Sequence, residues 1–230
     1  MKIIDAHSHI DCITHLNQPE VVGTIVCATN ESDWDFLSKT VMDDNCVYGA
    51  FGVHPWFVDS ISFDFESRLK FLLKNNSRYM VGEIGLDKYK SNMEKQMDVF
   101  QKQFDIGVKL KRNMFVHCVG AWDKILYVLK QYKKTELPNI VFHAFNGSDD
   151  VIKNLLNNYS NNIFFSFNKN ALYARNSRIT QIDANKILVE SDGNPDVSLI
   201  DIVTKISEIK NNSNISTIIY DNTQKVLTNG

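Results

Sequence analysis

Two imidazoles lie one residue apart in the run Ile3-Ile4-Asp5-Ala6-His7-Ser8-His9-Ile10. In a strand, alternate side chains share a face, so His7 and His9 point the same way. Five of the six histidines (His7, His9, His54, His117 and His143) fall at or just past the ends of short apolar runs. Glu83 and Asp192 do the same. Borderline divalent metals accept imidazole and carboxylate together. Two close metals also need a carboxylate that bridges them, and Glu83, from the middle of the strand series, suits that role. Asp192 can bind a metal and take a proton from the water that the metal acidifies. Each residue alone has an ordinary alternative. A strand histidine is commonly a half-buried residue with one hydrogen bond. Glu83 could pair with Arg or Lys, Asp192 could cap the last helix, and His54 could be a turn residue before Pro55. Gathered at one rim, these groups would be costly to bury without a cation, which favours a metal site. His15, off any apolar run, keeps the ordinary reading.

Such a constellation needs elements that bring many strand ends together. Short β-branched or aromatic runs cover roughly residues 3–9, 23–29, 46–53, 80–84, 114–118, 140–143, 163–167 and 187–190. Between them, apolar residues recur three or four apart: Met93, Met97, Phe100 and Phe104; Trp122, Ile125, Leu129 and Tyr132; Val151, Leu155 and Tyr159. Ser148-Asp149-Asp150 could cap the helix that carries the third stripe. Strands alternating with helices predict an α/β fold of the (β/α)8 TIM barrel type, a parallel eight-stranded barrel whose active site lies at the carboxyl ends of its strands. A doubly wound open sheet is the alternative, and no Gly-rich nucleotide fingerprint after the first strand supports it.

The chain has 230 residues, 43% apolar and 23% charged, which suits one soluble domain over residues 1–230. A formal charge of −2 excludes a global positive field, so a nucleic acid would have to be gripped locally. Cys12, Cys27, Cys46 and Cys118 form no CxxC pair and read as reduced thiols of a cytoplasmic protein. No run resembles a signal peptide or a membrane span.

The chain resembles the TatD family of metal-dependent hydrolases, a branch of the amidohydrolase-like barrels. The resemblance is carried by Asp5-Ala6-His7-Ser8-His9, Gly52-Val53-His54-Pro55, Gly82-Glu83-Ile84-Gly85-Leu86-Asp87, and Gln96 with Phe100 and Gln103. It continues through His117, His143-Ala144-Phe145-Asn146-Gly147-Ser148, Val189-Glu190-Ser191-Asp192 and Asn222. It implies a barrel with one or two divalent ions (Mg, Mn or Zn) that hydrolyses phosphodiesters as a DNase or 3′→5′ exonuclease. By family pattern His7, His9, Glu83, His117, His143 and Asp192 are the metal ligands. His54 then faces the substrate as a proton carrier or phosphate contact, beside Asp192 and Glu83 in catalysis.

Two departures bear on substrate. The family usually follows its fifth-strand His with Arg and Asp, whereas this chain reads His117-Cys118-Val119-Gly120-Ala121-Trp122. The segment after Asp192 is also short, passing quickly into a helix-like stretch over 196–209. Substrate contacts are expected from Trp56, Lys88, Tyr89 and Lys90, with Lys169 and Arg175 as further candidates. The alternatives are hydrolysis of an amide, ester or lactone with the same ligands, and a non-catalytic binding protein. No membrane or obligate protein partner is expected.

Overall fold

The computed structural model describes residues 1–14, 17–174 and 176–228; His15 and Arg175 lie outside them. Eight strands form one sheet in simple chain order: β1 (Ile3–Ser8), β2 (Val21–Cys27), β3 (Val47–Phe51), β4 (Met80–Asp87), β5 (Met114–Val119), β6 (Ile140–Phe142), β7 (Ile163–Phe167) and β8 (Ile187–Val189). Every paired neighbour is parallel. The residues just past β8 then return to β1. Asp192 N–H donates to the His7 carbonyl at 3.0 Å, and Ser191 N–H donates to the Asp5 carboxylate at 2.9 Å. A doubly wound sheet would reverse strand order midway, and none occurs here.

Helices α1 (Trp34–Asp43), α2 (Phe65–Asn75), α3 (Met93–Leu110), α4 (Trp122–Leu129), α5 (Asp149–Tyr159), α6 (Lys169–Ala174), α7 (Asn176–Gln181), α8 (Leu199–Lys210) and α9 (Ile215–Thr228) follow the strands. Ser148 caps α5 by accepting the Val151 N–H at 3.3 Å. Ser198 caps α8, the first helix after Asp192, by accepting the Asp201 N–H at 3.3 Å, and α9 begins only at Ile215, so Asp192 precedes neither helix as its cap. The α3 stripe faces inward: Phe100 and Phe104 are fully buried, and Met93 and Met97 pack against the core. Asn222 lies on α9, far in sequence from the site, and ties that helix to the Ala184 and Ile187 carbonyls.

The inner faces of the strands explain how the site is set. Ile4, Ala6, Ile25, Cys27, Ala50, Met80, Phe115, Val141, Phe164 and Leu188 form a separate apolar cluster inside the barrel. Two residues further along the same faces come His117 after Phe115, His143 after Val141, Ser166 and then Asn168 after Phe164, and Glu190 and then Asp192 after Leu188. The barrel therefore carries a polar layer above an apolar one. β1 and β4 reach that layer differently. The β1–β2 register is irregular between Asp5 and Ser8, and the β4–β5 register between Val81 and Ile84. Such irregularities re-aim side chains, here His7 and Glu83. β4 also runs to Asp87, three residues beyond its expected end, so Glu83 lies within a strand and not at its tip.

Candidate metal centre

Glu83 is buried at the centre of the constellation, and its two oxygens face different partners. Oε2 lies 3.3 Å from His7 Nε2 and 3.8 Å from His9 Nε2. Oε1 lies 2.8 Å from His143 Nε2, 3.0 Å from His117 Nδ1 and 3.2 Å from His54 Nε2. Asp192 stands on the Oε2 side, its Oδ1 3.7 Å from His9 Nε2 and 4.0 Å from His7 Nε2. All seven residues expected at the site thus converge there. The His7 ring stacks on His143 at 4.1 Å between centroids and meets His9 edge-on at 5.0 Å.

Hydrogen bonds at the far ring nitrogens sort the histidines. His9 Nδ1 lies 3.3 Å from the Cys27 carbonyl, an acceptor, so in the neutral ring Nδ1 carries the proton and Nε2 is the nitrogen left for a cation. His54 is the reverse. Its Nδ1 accepts the Trp56 N–H at 3.2 Å, so its proton sits on Nε2 and points at Glu83. The first arrangement suits a metal ligand and the second a proton donor.

Electrostatics agree with a cation site. Burial raises the cost of ionising Glu83, but His143, His54 and His7 outweigh it and hold the carboxyl well below its usual range. Burial likewise opposes ionisation of Asp192, yet His9, His143 and His7 bring it down to about 2. Burial keeps His7 and His117 below the usual imidazole range. For His143, burial is overcome by Glu83 and Glu190, which push its pKa well up. His7 Nδ1, His7 Nε2 and His117 Nε2 are buried without a hydrogen-bond partner among the described residues. Buried imidazole nitrogens without hydrogen bonds, set around ionised carboxylates, are the donor set a divalent cation satisfies, and the residues fit such a group.

Surrounding residues that sequence reasoning left without a role hold this set in place. Glu190, fully buried, has Oε1 3.4 Å from His143 Nδ1 and accepts the Ala144 N–H at 2.7 Å. Asp87 Oδ2 lies 3.9 Å from His117 Nε2. Asn168 Nδ2 donates to Asp192 Oδ2 at 3.0 Å, leaving Oδ1 toward the histidines. Two α3 glutamines hold the strand exits: Gln96 bonds both backbone groups of Asp87, and Gln103 bonds both of Val53. The period-two alternation along β7 and β8 was the signal that could have found Asn168 and Glu190.

A cleft of about 480 Å³ opens above the centre, lined by His9, His54, Glu83, His117, His143 and Asp192 with Thr29, Trp56, Phe57, Val119 and Ala144. Val119 thus occupies the wall near where the family pattern leads one to expect a cation. Of the expected substrate contacts, Trp56 lines the cleft, while Lys88, Tyr89 and Lys90 are exposed beyond β4. Lys169 is exposed at a smaller cavity that reaches Asp192 from the β7 side.

The family described as TatD related DNase matches residues 4–228. A human protein named 3′-5′ RNA nuclease TATDN2 is 31% identical over 165 residues, covering 69% of this chain and 21% of that protein. A protein of Erwinia billingiae named 3′-5′ ssDNA/RNA exonuclease TatD is 30% identical over 137 residues, 58% of this chain and 52% of its own length. The matched stretch therefore spans about half or less of these relatives. Among solved structures, YJJV, a TatD homolog from Escherichia coli, superposes with a TM-score of 0.86 at 20% identity over 97% of both chains. A TatD family hydrolase from Entamoeba histolytica gives 0.81 at 16% identity, covering 100% of this chain and 99% of that one. At these identities the structural likeness establishes the barrel.

Proposed function

Since the chain belongs to the TatD related DNase family, we propose that it is a metal-dependent nuclease that cleaves phosphodiester bonds from a 3′ end. One observation carries this reading: the two oxygens of Glu83 face two separate groups of imidazoles. Such a carboxylate would hold divalent cations together with His7, His9 and Asp192 near Oε2 and with His117 and His143 near Oε1. Mg, Mn and Zn all suit this mixed ligand set. Divalent cations, when bound, would polarise a phosphoryl oxygen and acidify the attacking water. Asp192 Oδ1, steadied through Asn168 on Oδ2, takes the proton of that water. The oxygen of that water bonds to phosphorus as the bond from phosphorus to the leaving oxygen breaks, and His54, whose Nε2–H faces Glu83 at the cleft floor, is the group that would protonate the leaving oxygen. Glu190, 3.4 Å from His143 Nδ1, orients that ring, while Asp87 flanks His117 Nε2 at 3.9 Å, beyond hydrogen-bond distance.

We read residues 1–230 as one such hydrolase unit. A cytoplasmic setting belongs to the same proposal, supported by four unpaired cysteines. No helix of the described residues is long and apolar enough to cross a membrane.

A second reading, hydrolysis of an amide, ester or lactone, is favoured by one feature: among the described residues, no Lys or Arg lines the cleft. The test is a single-stranded DNA or RNA oligonucleotide labelled at its 3′ end, incubated with Mg²⁺ or Mn²⁺. The nuclease reading expects release of labelled mononucleotide, abolished by chelator. Intact oligonucleotide under every metal, with turnover of an acyl substrate, would reverse the order of the two readings.

A further inference from the structure

At the cleft mouth, Trp56 combines exposure with restraint. Its side chain is 54% exposed, yet its indole N–H donates to Asp87 Oδ2 at 2.7 Å. Asp87 is itself buried and pinned: its backbone N–H is held by Gln96, and its Oδ1 accepts the Tyr89 N–H. Lys90 Nζ lies over the Trp56 ring, 4.0 Å from its centroid, so a positive charge sits on one face of the indole. The ring is also 5.2 Å from the His54 ring, whose Nε2 reaches Glu83.

An exposed aromatic costs solubility unless something covers it in use. Here the polar edge is anchored by a buried carboxylate, which cuts the entropy lost when a flat ligand lands on the ring. We propose that Trp56 is the platform on which an unpaired terminal base of a single-stranded nucleic acid stacks, with Asp87 as its positioning residue and Lys90 beside the adjoining phosphate. The proposal rests on the phosphodiesterase reading for where the phosphate goes, and on the rim itself for where the base goes. Every base has a stacking face, so this contact accepts any sequence and requires only that the end be unpaired. It also supplies local positive charge to a chain whose net charge is −2.

The test is binding of fluorescently labelled single-stranded oligonucleotides in Mg²⁺, read by anisotropy. Their terminal linkage is a hydrolysis-resistant phosphorothioate, and the 3′ end carries either an adenine or an abasic sugar. Wild type should bind the adenine end more tightly than the abasic end. Trp56→Ala should weaken adenine-end binding about 10-fold, the scale of one base–aromatic stack, and leave the abasic end unchanged. Trp56→Phe, which keeps a ring and endangers folding least, should fall between the two. Equal affinities for the two ends in wild type, or unchanged binding in Trp56→Ala, would overturn the proposal. Hydrolysis of an ordinary oligonucleotide is measured alongside. Binding with the expected pattern but without hydrolysis would sink the nuclease reading and leave the platform standing. Hydrolysis with unaffected Trp56→Ala binding would do the opposite.

Discussion

His9 and His54 both approach Glu83, but the partner of each Nδ1 gives the two opposite proton arrangements. His9→Ala should therefore lower metal content after dialysis. His54→Ala should keep the metal and lose kcat by roughly 100-fold, the usual worth of one positioned acid. Metal analysis beside steady-state kinetics separates the two, and equal metal loss in both variants would contradict the assignment. Asp5 offers a different residue-scale test. Burial pushes its carboxyl up to about 6 from 3.8, despite hydrogen bonds from Ser191, Thr14 and the His7 N–H. The folded chain thus holds a proton that the unfolded chain has released. The stability this contributes is full below pH 3.8 and is lost as pH rises through about 6. In chelator, Asp5→Asn should flatten the fall of the thermal midpoint between those pH values. An unchanged slope would show that Asp5 is ionised throughout.

The strands and α3 hold these residues by contacts that local sequence foretells unevenly. The Gln103 amide satisfies both backbone groups of Val53, just before His54. Gln103→Ala should cost about 2 kcal/mol or more in chemical denaturation, since two buried backbone groups lose their partner. Gly85 has φ +148, and a Cβ there would sit 1.9 Å from the His117 carbonyl oxygen. Gly85→Ala should therefore lower both stability and metal content by pushing β5 away. Strand alternation and the run ends made the fold readable, along with the positions of His7, His9, Glu83, His117, His143 and Asp192. The partners behind them were harder to read. Glu190 meets His143 from a strand two places away in the sheet, and Asp87 meets Trp56 across two rim segments. Such pairings depend on tertiary closure, which no local period encodes. The length of β4 was underestimated for a similar reason: Gly85, Leu86 and Asp87 pair with β5 only through its partner residues His117, Cys118 and Val119.

For the whole molecule, bound cations and fold stability are linked. A metal that binds only the folded chain stabilises it by mass action, about 4 kcal/mol at 1,000 times its Kd. For a chain of this size, chelator should lower the thermal midpoint by roughly 10 °C. A midpoint indifferent to chelator, together with less than one equivalent of retained metal, would favour a non-catalytic barrel. In the proposed centre, Glu83 would join two cations across the barrel mouth. The most direct measurement is anomalous scattering from crystals grown with Mn²⁺. Two peaks are expected roughly 3.5–4 Å apart, one against each Glu83 oxygen, the first beside His7, His9 and Asp192 and the second beside His117 and His143. Peaks that leave Glu83 uncoordinated, or no peak within this cluster at saturating Mn²⁺, would contradict it.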